Sequence, residues 1–376
     1  MDIFTGTKKR TRRAFYGYLR EKGMATKQDL ALDLGLSVPT VSKYLTNFLE
    51  AGLLEKAAKL EPGPNGGRSP LAYSCVAAAR YAVGVDITRD HVSSLVIDLE
   101  RTVVHRRQAA RPFSRSQAYM EFLGAEIAAL ITEAGIDVGS LLGVGIAIPG
   151  LISKASGAVV YGRVIDNFGL TAEDFGRYVP HKTVLVHDSD AAGLAEFWGN
   201  EGLGNAFYIS LGRSVGGSVL INNRVYQGEG DFSGEIGHVT IQPDGLECYC
   251  GRRGCLDPYC NASVLDSIGA GSLDGFFSAL SVGEAAAVEV WARYTAALAL
   301  AVHNVRCLFG SRVILGGEVG PHLGGHMDAL WDSVDALSFR DDPARDYLTP
   351  CAYRTESIAT GAALFLVQEF LDDPGA

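Results

Sequence analysis

Along this 376-residue chain the apolar positions recur on two different periods, and the change of period divides it. Between residues 26 and 50, Leu30, Leu34, Leu36, Val41 and Leu45 fall at helical spacing with one interruption. Thr26 is placed to cap a helix over 27–34, Gly35 to supply a left-handed turn, and Ser37 to cap a second helix running to about residue 50. Ala31 is small where two such helices must cross. The spacing predicts a helix-turn-helix whose second helix turns Thr40, Ser42, Lys43, Thr46 and Asn47 outward. Those are short polar and basic side chains of the kind that meet phosphates and base edges in a major groove. A strand from Gly52-Leu53-Leu54, a tip over 62–70 carrying Arg68, and a return at Leu71-Ala72-Tyr73 complete a wing. Lys8, Lys9, Arg10, Arg12 and Arg13 are expected ahead of the first helix as further phosphate contacts.

From Tyr81 the pattern shortens to that of strands. Strands are expected over 81–87, 91–99 and near 102–108, a helix over 116–134, then buried strands over 141–148 and 183–186. Strands alternating with helices give an α/β class. The expected division is a winged unit over 1–75, a first lobe over 76–190 to which 355–376 returns, and a second lobe over 191–354.

Charge sharpens that division. Residues 1–75 carry 12 Lys and Arg against 7 Asp and Glu, while the rest carries 21 against 36, within an overall net charge of −10. A basic small unit on an acidic body implies that only the small unit meets a polyanion. The start of the chain is polar and basic without an apolar run behind it, so a signal peptide is not expected. The longest unbroken apolar stretch, 141–152, is shorter than the roughly 20 residues of a membrane helix and contains Pro149 and Gly150. A cytoplasmic protein with no membrane partner is the expectation.

Seven cysteines are present, and four of them lie between 248 and 260. In a reducing compartment such clustering argues for metal rather than disulfides. His238 with Cys248, Cys250 and Cys255 forms H-x9-C-x-C-x4-C, with Gly251 and Gly254 allowing a tight loop. A Cys₃His set of this spacing suits structural Zn²⁺, and with four protein ligands no position is left open for water. Cys260, Cys75, Cys307 and Cys351 fall outside the pattern.

Taken in order, the winged helix, the strand-turn-strand near Val83–Ile97, Ile148-Pro149-Gly150, His187-Asp188, Gly234-Glu235-Ile236-Gly237-His238 and Cys248-Tyr249-Cys250-Gly251 resemble the ROK family. That family joins repressors, open reading frames and sugar kinases on a two-lobed actin-like, ribonuclease-H-like fold. The resemblance implies such a body here, preceded by the winged helix-turn-helix. Kinases of the family carry Asp-x-Gly-Gly-Thr in the first hairpin, where bare backbone closes on ATP phosphates. This chain has Asp86-Ile87-Thr88-Arg89-Asp90, and its second phosphate loop reads Gly212-Arg213-Ser214-Val215-Gly216-Gly217. Both are altered, the first more severely.

The resemblance also implies a sugar pocket. Asp188 stands where the kinases place their base, and Glu235 with His238 matches Glu-x-Gly-His, the histidine giving one nitrogen to zinc and the other to a sugar hydroxyl. Asn167 and Gly150 match further pocket positions, and Asp257 stands where glutamate is usual. His187 replaces the family's asparagine. The function expected is a sugar-responsive repressor of carbohydrate genes without kinase activity, a homodimer or dimer of dimers that binds operator DNA and a sugar or sugar phosphate. The alternatives are an active sugar kinase with an accessory DNA-binding unit, and a regulator tethered to a protein partner.

Overall fold

The computed structural model describes residues 3–59, 70–198, 204–353 and 356–375. The first unit opens with α1 (Ile3–Lys22), β1 (Met24–Thr26), α2 (Lys27–Asp33) and α3 (Val38–Glu50). It closes with β2 (Leu54–Lys59) and β3 (Leu71–Cys75), and the small antiparallel sheet runs β1-β3-β2. Capping sets both short helices. The Thr26 hydroxyl accepts from the Asp29 N–H at 3.3 Å while the Asp29 carboxylate accepts from the Thr26 N–H at 2.8 Å, and Ser37 accepts from the Thr40 N–H at 3.3 Å. Gly35 between them has φ 61°, the left-handed turn the sequence requires. Leu30, Val41 and Leu45 are buried as expected, but the other half of this core comes from Phe15, Tyr16 and Leu19 of α1. The wing tip, and Arg68 with it, lies outside the described residues.

The first lobe contains β4 (Tyr81–Ile87), β5 (His91–Asp98), β6 (Val103–Ala110), α4 (Gln117–Ala134), β7 (Leu141–Ile148), β8 (Leu151–Ile152), β9 (Val159–Tyr161), α5 (Ala172–Gly176), β10 (Thr183–His187) and α6 (Asp188–Phe197). Its sheet runs β10-β7-β4-β5-β6, antiparallel on the β5–β6 side and parallel on the other. The period of two puts Val83, Val85 and Ile87 on the face covered by α4, with Leu123, Ile127 and Leu130 packed in the same cluster.

The second lobe follows with β11 (Ala206–Leu211), β12 (Val215–Ile221), β13 (Arg224–Val225), α7 (Asp257–Cys260), α8 (Ala262–Asp266), α9 (Leu273–Ser281), α10 (Ala285–Phe309), β14 (Arg312–Gly316), α11 (Met327–Asp335) and β15 (Leu348–Pro350). Its sheet runs β13-β12-β11-β14-β15. By length and composition α10 could cross a membrane, but half of its apolar window is buried in this lobe, where Trp291, Tyr294, Leu298 and Val302 join the core.

The chain then returns as α12 (Ser357–Asp372), which covers the other face of β4 and β7 and packs along α6. Glycines make this contact a backbone contact. A Cβ on Gly84 would lie 1.8 Å from the Ala359 carbonyl oxygen, one on Gly145 2.0 Å from that of Ala362, and one on Gly361 1.7 Å from that of Ala191 in α6. The end of α12 also holds the first unit. Arg12 pairs with Asp373, and Arg13 lies 3.3 Å from Asp372, which also takes Arg224 of β13. Residues 8–13 do precede the helix over 27–33, but they lie inside α1, a helix the sequence reading did not include, and two of the arginines are engaged by the body.

Candidate ligand cleft, metal cluster and polar helix face

Three close backbone approaches position the turn that carries Glu235 and His238. A Cβ on Gly217 of β12 would lie 2.5 Å from the Gly234 oxygen, one on Gly234 2.7 Å from the Gly217 oxygen, and one on Gly237 1.9 Å from the Val215 oxygen. Only glycine permits the tight turn over 236–238 to sit directly on β12. That seating places His238 between two environments. Its Nδ1 lies 3.6 Å from Cys248 Sγ, while its Nε2 lies 3.3 Å from the Tyr249 hydroxyl and 4.0 Å from Glu235 Oε2.

The ligand atoms of His238, Cys248, Cys250 and Cys255 all lie within 4.8 Å of one another, so the set could hold a metal ion. Gly254, with φ 79°, folds the loop back, and a Cβ there would lie 1.8 Å from the Gln242 oxygen. Burial keeps the His238 imidazole below its ordinary pKa and therefore neutral, as a ligand must be. Cys250 falls to about 7; burial opposes this, but hydrogen bonds from the Arg252 backbone and guanidinium, together with those from the Cys248 and Cys255 thiols, outweigh it.

At the other end of the cleft β10 delivers His187 and α6 begins with Asp188. His187 Nε2 lies 3.2 Å from Asp188 Oδ1. Burial works to lower the His187 pKa, yet Asp188, Asp190 and Glu235 together hold it above the ordinary value. Asp190 is buried, accepts from the Ser218 hydroxyl at 2.7 Å, and is raised by that burial, as is Glu235. Burial, with Asp188 adding its charge, lifts Asp86 at the end of β4 to about 7. Asp188, Glu235 and His238 thus converge, and His187, Asp86 and Asp190 converge with them. His187 had stood out in the sequence as a departure, but its place among the carboxylates of Asp188, Asp190 and Glu235 is a tertiary fact.

Asn167 is fully buried, donates from Nδ2 to the Pro149 carbonyl at 3.0 Å, and leaves Oδ1 buried without a hydrogen-bond partner. It pins the loop 162–169 beside Gly150, whose φ of 140° and close approach to the Tyr161 oxygen (2.6 Å from a Cβ there) require glycine. Asp257 is buried too, and its carboxylate takes the Val215 N–H at 2.7 Å and the Asn261 amide at 3.5 Å. Its visible bonds hold the second loop in place. Tyr161, Arg163 and Tyr249 also belong to this region and were missed; only the position of Tyr249 between two cysteine ligands could have signalled one of them.

The altered loops are occupied by paired side chains. Thr88 Oγ1 lies 2.9 Å from His91 Nδ1, and the Arg89 guanidinium donates to the Val164 oxygen at 2.6 Å. Arg213 bonds Asp266 and lies 3.4 Å from Glu318, whose carboxylate also accepts the Arg213 N–H, while the Asp90 charge faces it as well. One guanidinium therefore ties the second loop to α8 and to the turn after β14, while the Asp90 charge of the first hairpin acts on it without contact.

On α3, Lys43, Thr46 and Asn47 are exposed and Thr40 and Ser42 half-buried. The Thr40 hydroxyl meets that of Ser37 at 2.8 Å, and Ser42 donates to the Val38 oxygen at 2.8 Å. Lys43, Thr46 and Asn47 are the freer three.

A profile of the ROK family matches residues 82–369. The chain is 30% identical over 235 residues to a xylose repressor of Bacillus spizizenii, covering 61% of this chain and 60% of that protein. It is 26% identical over 249 residues to the DNA-binding transcriptional dual regulator NagC of Escherichia coli, covering 65% and 60%. The chain thus spans about 60% of the length of these relatives. Among solved structures it is similar to a ROK family transcriptional regulator, a homologue of the E. coli MLC protein, with TM-score 0.77 over 98% of this chain and 97% of the other at 19% identity. It is also similar to a ROK family glucokinase from Streptomyces griseus in complex with glucose and AMPPNP, with TM-score 0.62 over 77% and 99% at 23% identity.

Proposed function

Since the chain belongs to the ROK family, we propose that it is a DNA-binding repressor of carbohydrate genes whose operator affinity changes when a sugar or sugar phosphate enters the cleft, and that it transfers no phosphate. One observation carries this reading. A helix-turn-helix with an exposed polar helix is joined to a sugar-kinase-like body whose second phosphate loop is tied by Arg213 to Asp266 and Glu318, with the Asp90 charge of the first hairpin acting on the same guanidinium. A nucleoside triphosphate there would meet negative charge from Asp90, Asp266 and Glu318 and, in the first hairpin, would lack the bare backbone that would cradle it. Names of the relatives agree: a xylose repressor and an N-acetylglucosamine repressor are among them.

In this reading α3 lies in the major groove with Lys43, Thr46 and Asn47 foremost, joined by Thr40, Ser42 and the wing residue Arg68. The sugar lies against Asp188 and Glu235 as acceptors and His238 Nε2–H as donor, with Gly150, Asn167 and Asp257 shaping the pocket. A homodimer would present two recognition helices to two half-sites, and the chain would act in the cytoplasm. The metal is zinc, structural in role. Tetrahedral zinc, with Zn–S about 2.3 Å and Zn–N about 2.05 Å, places S···S at about 3.8 Å and N···S at about 3.6 Å. Cys250 and Cys255 lie 3.8 Å apart and His238 Nδ1 lies 3.6 Å from Cys248 Sγ, so these two pairs already stand at those separations, and all four ligand atoms lie within 4.8 Å of one another. When bound, zinc would fix the ring and loop that carry the sugar contacts.

The test is a titration with D-xylose, D-glucose, N-acetyl-D-glucosamine and their phosphates, following binding to the upstream DNA while ATP turnover is assayed in parallel. A sugar-dependent change in DNA affinity without turnover supports the reading. The position of Asp188 at the start of α6 favours a second, kinase reading, which requires turnover that disappears in Asp188→Asn.

A further inference from the structure

Tyr249 lies between two of the cluster thiols, Cys248 and Cys250, yet its phenol serves the imidazole rather than the sulfurs. The hydroxyl is 3.3 Å from His238 Nε2, and the two rings meet edge to face with centroids 5.2 Å apart. Asp257, Tyr161, Glu235 and Cys248 are the other groups that face it. His238 presents Nδ1 to Cys248. A neutral imidazole that gives Nδ1 to a metal carries its proton on Nε2, so Nε2–H is a donor and the Tyr249 oxygen its acceptor. That is the hydrogen bond which the sugar reading assigns to a ligand hydroxyl.

We propose that Tyr249 is a built-in stand-in for the ligand: in the empty cleft its phenol holds the His238 Nε2–H, and a sugar hydroxyl must displace it to bind. The proposal rests on the reading of the cleft as a sugar site and adds a residue that sets the affinity of that site. Displacement has structural consequences on both sides of the cleft. The Tyr249 backbone belongs to the metal loop, and its carbonyl accepts from the Arg163 guanidinium of the first lobe at 3.4 Å. The nearby Tyr161 ring, 6.2 Å from the His238 ring, has a buried hydroxyl without a hydrogen-bond partner. It is the group left for a ligand to satisfy once the Tyr249 phenol has moved.

Tyr249→Phe keeps the ring and removes the competing oxygen. Calorimetry of the full, metal-loaded chain with D-xylose, D-glucose, N-acetyl-D-glucosamine and its 6-phosphate compares the two proteins. The variant is expected to bind the responsive sugar about two- to tenfold more tightly, the range of a neutral hydrogen bond no longer broken on entry, with metal content per chain unchanged. Weaker binding would make Tyr249 a direct sugar contact and overturn the proposal, as would unchanged affinity. If none of these sugars binds either protein, the sugar reading fails, and the stand-in is judged by a ligand-free measurement. In ¹⁵N-histidine-labelled protein, water exchange of the imidazole N–H of the ring substituted at Nδ1 is expected to be several-fold faster in Tyr249→Phe. Equal exchange rates would sink the proposal whatever the sugars do.

Discussion

Replacing Gly361 by alanine tests the packing of α12 most sharply, because local and tertiary physics predict opposite signs. In a helix interior, glycine to alanine is worth about 1 kcal/mol of stabilisation, since alanine loses less backbone entropy on folding. Gly17, in the middle of α1, has nothing within 4 Å of the Cβ it would gain, and Gly17→Ala should show that gain. At Gly361 the new Cβ would lie 1.7 Å from the Ala191 oxygen, about 1.5 Å inside a carbon–oxygen contact of roughly 3.2 Å. Relief requires α12 to slide away from α6. Gly84 and Gly145 oppose the slide, because each is seated against a carbonyl of α12 within 2.0 Å of its own missing Cβ. Overpacking typically costs about 1–3 kcal/mol, and a contact blocked on two sides belongs at the upper end. For a body of this size about 3 kcal/mol corresponds to a fall of roughly 6–12 °C in melting temperature. Thermal unfolding followed by circular dichroism should therefore show Gly17→Ala above wild type and Gly361→Ala well below it. A Gly361→Ala protein that melts with or above wild type would refute the close register of α12 on α6.

The remaining predictions concern the cleft and the joint between units. Asp86, at about 7 in the folded protein against an ordinary value near 3.8, binds its proton more tightly when folded, so its contribution to stability is present below about pH 4 and lost as pH rises through 7. Asp86→Asn should accordingly gain on wild type between pH 5 and pH 8 in urea unfolding, and an equal difference at both pH values would contradict the assignment. Millimolar Mg-ATP should leave the melting temperature unchanged, and a clear upward shift would mean that the loops around Arg213 still accept a nucleotide. Prolonged chelation should strip the metal from the His238 cluster and abolish sugar-induced change in DNA affinity, restored by added Zn²⁺; full response in metal-free protein would separate the two sites. Arg13→Ala should leave the slope of log affinity on log salt unchanged for DNA, because Arg13 is held by Asp372, whereas losing a true phosphate contact would reduce that slope by about 0.9.

What the sequence disclosed is what depends on neighbours in sequence. The reciprocal cap at Thr26 and Asp29, the turn at Gly35, the cap at Ser37 and the four metal-cluster residues each act within fewer than about twenty residues, and each is legible from residue type and spacing. The strands over 81–148 were legible as short apolar runs between turns: β4, β5 and β7 are buried along most of their length, and only β6 alternates half-buried with exposed positions. Helix α1 was not, since its polar and basic surface hides the three core positions Phe15, Tyr16 and Leu19. The pairing of Arg12 and Arg13 with Asp373 and Asp372 joins residues about 360 positions apart, and no local pattern announces it. In the cleft, Asp188, Glu235 and His238 could be named from motif order, whereas the charge that His187 feels from three carboxylates and the placement of the Tyr249 phenol on His238 arise only from the fold.

The seam between Gly84 and Ala359 also governs how the protein can be handled and how it must assemble. A fragment cut after α6 would leave the inner surface of β4, β5 and β7 naked, with Ala82, Leu95 and Ile97 open to self-association. Dissection of the lobes thus calls for a graft that carries residues 357–372 back by a linker. In the intact chain, closing so long a loop before this sheet is covered implies slow, late consolidation of the first lobe, with the winged unit able to form earlier from its own local contacts.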